Sequence, residues 1–569
     1  MTMTVSISEF IKEPKIAYFS MEIGVRSDMS TYSGGLGVLA GDTIKSTADL
    51  NLPVVAVTIL TKKGYFKQEL DIFGRQTEIP DDWDPNNFMT PLKEKISVYI
   101  EDREVYIGSW LYVVESMRGP KIPIIFLDTD LPENAPEDRG ITHHLYGGDQ
   151  VYRLKQEIVL GIGGTRMLDE LGFEIKKYHM NEGHSALLTL ELLKRYKKDI
   201  EEVWDERLVW DVEKIRGLCV FTTHTPVAAG HDKFPYDLVQ RTMYEIIPID
   251  IVKDLAGHEH LNMTMLALNL SNYINGVAKK HGEVSKGMFP GYEIHAITNG
   301  VHSFTWTCDS FKRLYDKYLP GWANEPEIFV RVGRIPDDEL WEAHMEAKRH
   351  LIDHVNRETQ AGMNYDTLTI GFARRATAYK RADLLFTDIE RLSYIGEGRL
   401  QIIYAGKAHP KDESGKQLIQ HIFEIKEKLK DKIKIAFLKN YNMELALKLV
   451  SGVDVWLNTP LRPLEASGTS GMKATHNGVP NFSVLDGWWI EGWIEGYTGW
   501  AIGPSPDVPA DPARDADDLY YKLETAIIPT FYNDKHTWLR IMQNAIGKNA
   551  YYFNSHRMMR RYVTEAYIR

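Results

Sequence analysis

Residues 453–485 read VDVWLNTPLRPLEASGTSGMKATHNGVPNFSVL. The run 453–457 is apolar and rich in branched side chains, which predicts a buried strand. A loop with Pro460 and Pro463 follows, then Gly468 and Gly471 open a stretch of helical character, and 479–485 is apolar again. Strand, loop, helix and strand in this order make one unit of a parallel sheet. The two glycines let the backbone come close to a ligand, while Thr469, Ser470 and the free N–H groups of a helix start can cradle a phosphate. Lys473 at the mouth of such a loop could serve as a point charge or as a Schiff-base amine. A nucleotide P-loop does not fit, because Met472 separates Gly471 from the lysine.

The same alternation extends on both sides. Strands are predicted at 367–373, 400–405 and 433–438, with helices from about Lys380, over 417–430 and over 443–451, which is a doubly wound sheet. Residues 309–360 are charged and helical, with apolar residues at helical spacing over 337–358, and mark a junction. Ahead of it, 15–21 (KIAYFSM), 52–60 (LPVVAVTIL), 218–223 and 294–298 read as strands, separated by helical segments such as 262–280. The chain thus divides into 1–308, a connection 309–365, a second α/β domain 366–540 and a C-terminal helical segment 541–569. The expected fold is α/β: two Rossmann-like domains facing each other across a cleft, where ligands bind at the carboxyl ends of the strands.

Two other segments belong at those ends. After strand 367–373 comes RRATAYKR, which sets Arg374, Arg375, Lys380 and Arg381 where a helix is expected to begin. Cations there oppose the helix dipole at a cost of roughly 0.3–1 kcal/mol each, so their clustering implies a bound phosphate or carboxylate. Between the first two strands lies YSGGLGVLAG, 32–41. Gly35 to Ala40 matches G-x-G-x-x-A, but no strand directly precedes it and no acidic residue ends a strand about 20 residues later, so a dinucleotide site is not indicated. A loop whose N–H groups approach an anion or a sugar is what remains.

The chain has 569 residues, 43% apolar and 26% charged, with a formal charge of −12. That acidity excludes a general attraction to nucleic acid or to an anionic membrane. Two cysteines, Cys219 and Cys308, provide no disulfide framework and no metal motif, and His258 and His260 lack the spacing of a zinc helix, so no metal site is expected. The N-terminus has no signal-like pattern and no run is long enough to span a bilayer, so a cytoplasmic location is expected.

Together these segments resemble the α-glucan phosphorylase family of GT-B architecture, and the likeness runs along most of the chain. The family's pyridoxal-phosphate signature, E-A-S-G-T with a short spacer and M-K, corresponds to Glu465-Ala466-Ser467-Gly468-Thr469-Ser470-Gly471-Met472-Lys473. The resemblance implies that Lys473 forms the Schiff base with pyridoxal 5′-phosphate, and that Glu465 with the backbone of Ala466, Ser467 and Gly468 binds sugar hydroxyls. RRATAYKR is similar to the family's [KR]-R-x-x-x-Y-K-R, which assigns Arg375 and Lys380 to the substrate and cofactor phosphates. GGLG, with Gly34, Gly35 and Leu36, is similar to the loop that reaches phosphate and sugar from the opposite domain.

His224 in THT and Asn299 in TNG resemble contacts to the sugar's primary hydroxyl, Asn181–His184 another cleft segment, and Tyr441 a tyrosine near the cofactor phosphate. The implied reaction is phosphorolysis of an α-1,4-glucan by inorganic phosphate, with homodimerisation a family expectation. The alternative is a nucleotide-sugar glucosyltransferase of the same architecture. Such enzymes keep a second carboxylate eight positions after the first, and eight after Glu465 stands Lys473.

Overall fold

The computed structural model describes residues 6–202, 205–227 and 230–568. Its second half is built on a six-stranded sheet in the order Lys434–Leu438, Leu400–Ala405, Leu368–Ala373, Val455–Asn458, Asn481–Val484, Gly499–Ile502. All neighbours are parallel. Numbered along the chain this is 3-2-1-4-5-6, the doubly wound order, and it reverses between Leu368–Ala373 and Val455–Asn458. Strands buried on both faces need continuous apolar runs, and LTIGFA and LQIIYA are buried throughout. The carboxyl ends at the reversal carry RRATAYKR and the loop before Lys473.

The first half follows the same plan. Lys121–Asp128, Val54–Ile59, Lys15–Ser20, Ile175–Asn181, Cys219–Thr222, Tyr273–Gly276 and His295–Ala296 lie side by side in that order, all parallel. Arg103–Glu115 continues the sheet antiparallel beyond Lys121–Asp128. Helix α1 (Gly35–Asp49) joins the first two strands and is buried over most of its length. No helix among the described residues is long and apolar enough to cross a membrane.

Two expectations are corrected. The segment 262–280 is not one helix: Met263–Asn269 and Lys279–Met288 are helical, with the strand Tyr273–Gly276 between them. No helix begins at Lys380 either. Ala378–Lys380 and Leu384–Phe386 are single 3-10 turns, and the helix starts at Ile389 behind the Asp388 cap. The tryptophan-rich stretch after 485 contributes a sixth strand, Gly499–Ile502, with Trp488, Trp489 and Trp500 buried while Tyr497 is 45% exposed.

The two halves share a core of Val38, Val301, Trp306, Met472, Trp488 and Phe553 among others. A hairpin, Lys67–Leu70 with Gln76–Ile79, reaches across: the Gln68 amide donates to the Gly406 carbonyl at 2.9 Å and the Gln76 amide to that of Ala408 at 2.9 Å. The C-terminal helix Ser555–Tyr562 lies against α1, and the Tyr562 hydroxyl bonds to Thr222 at 3.1 Å and Asn275 at 3.0 Å on the first sheet.

Candidate active site

At the sheet reversal the chain leaves Ala373 and gathers two cations on one carboxylate. Glu465 Oε2 accepts from Arg374 Nη2 at 2.7 Å and from Lys380 Nζ at 2.5 Å, all three side chains nearly buried. Burial alone would raise the Glu465 carboxyl, but Arg374 and Lys380 overcome it and hold it at about 2. Burial, aided by Arg374, pushes the Lys380 ammonium down to about 7. Thus Arg374 and Lys380 are held together by Glu465, and Arg381 by Asp515 at 2.8 Å with the carbonyls of Thr459 and Pro460. The dipole conflict inferred from the sequence does not arise, because no helix starts there.

This cluster is not closed. Arg374 Nη1, Thr377 Oγ1 and Ser467 Oγ are buried without a hydrogen-bond partner among the described residues. Arg375 is exposed and makes neither a hydrogen bond nor an ion pair with the described residues. Buried polar groups left unpaired are costly in a folded chain, so their gathering marks where a polar ligand is accommodated. Tyr441 is near Arg374, whose charge opposes the upward push of burial on its hydroxyl.

Gly468 has φ +84°, a conformation glycine adopts freely, and it turns the chain into the helix Thr469–Thr475. Gly471 has no room for a side chain, since a Cβ would sit 2.2 Å from Asn481 Oδ1. That close packing fixes the helix carrying Lys473. The Ser470 hydroxyl accepts the Trp456 indole N–H at 3.1 Å. Lys473 is 7% exposed, makes no ion pair with the described residues, and its Nζ stands 4.0 Å from the centroid of the Trp306 ring. Burial brings its ammonium down to about 8 against the pull of Asp42.

From the first half comes the glycine loop. Glu22 Oε2 accepts the backbone N–H groups of Ser33 at 2.5 Å and Gly34 at 3.2 Å, anchoring the turn into α1. Nothing lies within 4 Å of the Cβ positions of Gly34 and Gly35, so the space in front of them is open, with Leu36 half-buried beside it. Tyr32, just before the loop, accepts the Met443 N–H at 3.0 Å and so touches the second half.

His224 bonds through Nε2 to Asn181 Oδ1 at 2.6 Å, and its backbone N–H donates to Glu182 at 2.7 Å. Burial lowers its imidazole to about 3, so it is neutral. Glu182 holds φ +70°, a strained value for a residue with a Cβ. Asn299 Oδ1 and His184 Nδ1 are buried without hydrogen-bond partners among the described residues. The backbone of Ala466 runs between Glu465 and Ser467 in the loop before the lysine helix.

Two carboxylates were not anticipated from the sequence, and Arg374, named there only as one of the clustered cations, is the arginine paired with Glu465. Asp486 accepts the backbone N–H of Glu465 at 2.9 Å, and burial beside that carboxylate pushes it up to about 7. Asp42 is a fully buried carboxylate within α1. A charge in the otherwise apolar VLAGDTI was the one signal available for it.

The fold and the site define an α/β protein of two doubly wound sheets with a cationic, incompletely paired centre at the switch point of the second. The carbohydrate phosphorylase family matches residues 165–495. The chain is 42% identical to the maltodextrin phosphorylase of Thermococcus litoralis, over 98% of this chain and 70% of that one. It is 37% identical to the glycogen phosphorylase of Aquifex aeolicus, over 98% and 86%, and 36% identical to that of Mycobacterium tuberculosis, over 97% and 70%. The chain belongs to the carbohydrate phosphorylase family.

Proposed function

We propose that this protein is an α-1,4-glucan phosphorylase, a hexosyltransferase that uses inorganic phosphate to release the non-reducing-end glucose of glycogen, starch or maltodextrin as α-glucose 1-phosphate, reversibly and with retained configuration. Two Rossmann-like domains, 1–308 and 366–540, joined by 309–365 and tied by 541–569, would form the GT-B cleft. The observation that carries the proposal is the pairing of a buried, ion-pair-free Lys473 with an open cation cluster on the same sheet.

The residues present fit pyridoxal 5′-phosphate. Lys473 offers an amine that burial makes easier to deprotonate, and the unpaired Arg374 Nη1 and Thr377 Oγ1 with the open front of Gly34 and Gly35 leave polar capacity for phosphate groups. Lys473 would hold the cofactor, with Lys380, Tyr441, Thr469, Ser470 and Gly35 around it. When bound, the cofactor supplies a phosphate group that gives and takes a proton.

Arg375 and Lys380 bind the substrate phosphate and offset the repulsion between neighbouring phosphates, which is large at short range in a dry site. Positive charge developing on the sugar in an oxocarbenium-like transition state is stabilised by the phosphate these residues fix. Glu465, the Ala466–Gly468 backbone, Gly34, Leu36, His224 and Asn299 orient the glucose unit. A neutral His224 acts as a hydrogen-bonding partner of a hydroxyl.

The test is to supply purified protein with maltoheptaose and either phosphate or a nucleoside-diphosphate glucose. Phosphate-dependent shortening of the glucan is expected. Elongation that requires the nucleotide sugar, with no reaction in phosphate, would replace the proposal with the glucosyltransferase.

A further inference from the structure

Helix α1 begins at the glycine loop and, seven residues into its course, buries Asp42 to 1% exposure. Both carboxylate oxygens face the indole N–H of Trp306, at 3.0 and 2.8 Å. The face of the same indole carries the Lys473 amine at 4.0 Å. Trp306 is itself 1% exposed, so carboxylate, indole and amine form a dry relay from the first half to the second. Donation of an indole N–H to a carboxylate enriches the ring in electron density, and an electron-rich face binds a cation more strongly.

Few groups compete for that amine. Among the described residues Lys473 makes no ion pair, and Asp42 is the one charged group whose pull on it is resolved. Burial raises the Asp42 carboxyl above its ordinary value, and Lys473, Lys45 and His302 pull against that rise, Lys473 most of the three. Lys45 is occupied with the Thr305 hydroxyl at 3.2 Å, and His302 with Asp49 at 2.8 Å.

We propose that Asp42 is a positioning residue for Lys473: acting through Trp306, it aims the amine and serves as its distant counter-ion. Because Asp42 lies in the helix that starts at Gly35, the aim of Lys473 is tied to the placement of the glycine loop. The bearing of this on catalysis rests on Lys473 being the cofactor lysine; the Asp42–Lys473 coupling does not.

The coupling is read from the proton affinity of Lys473 in the full-length chain freed of bound small molecules. Trace acetic anhydride labels unprotonated amines, and peptide mass spectrometry follows the Lys473 peptide from pH 6 to 10. The midpoint in the unaltered protein is expected at about 8. Removing the carboxylate charge while keeping an acceptor for the indole, in Asp42→Asn, lowers the midpoint by about one pH unit for a charge several ångströms away. Labelling at pH 7 then rises several-fold. Asp42→Ser, smaller and also an acceptor, gives the same shift and carries the test if Asp42→Asn does not fold.

A purely packing role for Asp42 lowers the unfolding midpoint and leaves the Lys473 profile in place. That outcome, or an upward shift, overturns the proposal. Uptake of pyridoxal phosphate by the same stripped proteins is followed separately by absorbance, and Asp42→Asn is expected to take it up faster at pH 7. If the unaltered protein takes up none, the cofactor assignment falls while the labelling result still decides the role of Asp42.

Discussion

Two buried charge clusters lie on the same sheet of the second half and differ in one respect. At the amino end of Leu368–Ala373, Asp454 accepts from Lys348 at 2.6 Å, His344 at 2.8 Å and the Thr369 backbone at 2.7 Å, and Lys348 also donates to the Thr367 carbonyl at 2.8 Å. His344 Nδ1 is its one loose end. At the carboxyl end, Glu465 serves Arg374 and Lys380, but among the described residues Arg374 Nη1, Thr377 Oγ1 and Ser467 Oγ find no hydrogen-bond partner and Arg375 and Lys473 make no ion pair. The first cluster closes on itself and ties the long helix Asp337–Thr359 to the sheet. The second keeps polar capacity that its own residues do not use, which the proposed function gives to a ligand. Burial and charge alone do not separate structure from function here; completeness of pairing does.

The comparison can be broken by removing one cation from each. Lys473→Ala deletes a buried amine that has no direct ion pair among the described residues and reaches Asp42 only through Trp306, so the stability loss should be about 1–2 kcal/mol, smaller than in the closed cluster. Phosphorolysis should fall at least about a thousandfold, or ~4 kcal/mol of barrier. Lys348→Ala leaves Asp454 charged and stranded, and denaturant unfolding should report a loss of about 3–5 kcal/mol. Stability losses of the same size in both variants would erase the distinction.

A smaller effect sharpens it. Arg375→Ala removes an exposed guanidinium with no hydrogen bond or ion pair among the described residues, so unfolding should stay within about 0.5 kcal/mol. The KM for phosphate should rise about 10- to 100-fold, the worth of a charge-assisted hydrogen bond. The smallest effect is in pH. Lys348 and His344 hold the Asp454 carboxyl below its ordinary value even though burial would raise it. A lowered folded value means stability present above about pH 4, the unfolded range, and lost as pH falls below it. Lys348→Ala should flatten that acid limb of the unfolding curve, and Arg375→Ala should leave it unchanged.

The sheets were legible in the sequence because doubly buried strands such as LQIIYA must be apolar without interruption. The strand Tyr273–Gly276 was not, since four residues between two short helices continue a helical apolar spacing and nothing local marks the change of period. The turn at Gly468 was legible through the conformation it requires, and it opens the helix that carries Lys473. The partner of the RRATAYKR cations was not: Glu465 is 85 residues from Lys380, and only the sheet order brings them together. The tryptophan that carries Lys473 was invisible for the same reason, as Trp306 comes from the other side of the junction.

The most direct measurement is phosphorus NMR of maltoheptaose and inorganic phosphate incubated with the protein and with Lys473→Ala. The account predicts a growing resonance of α-glucose 1-phosphate with the unaltered protein and none with the folded variant. Equal product from both, or a β-anomer from either, would contradict it.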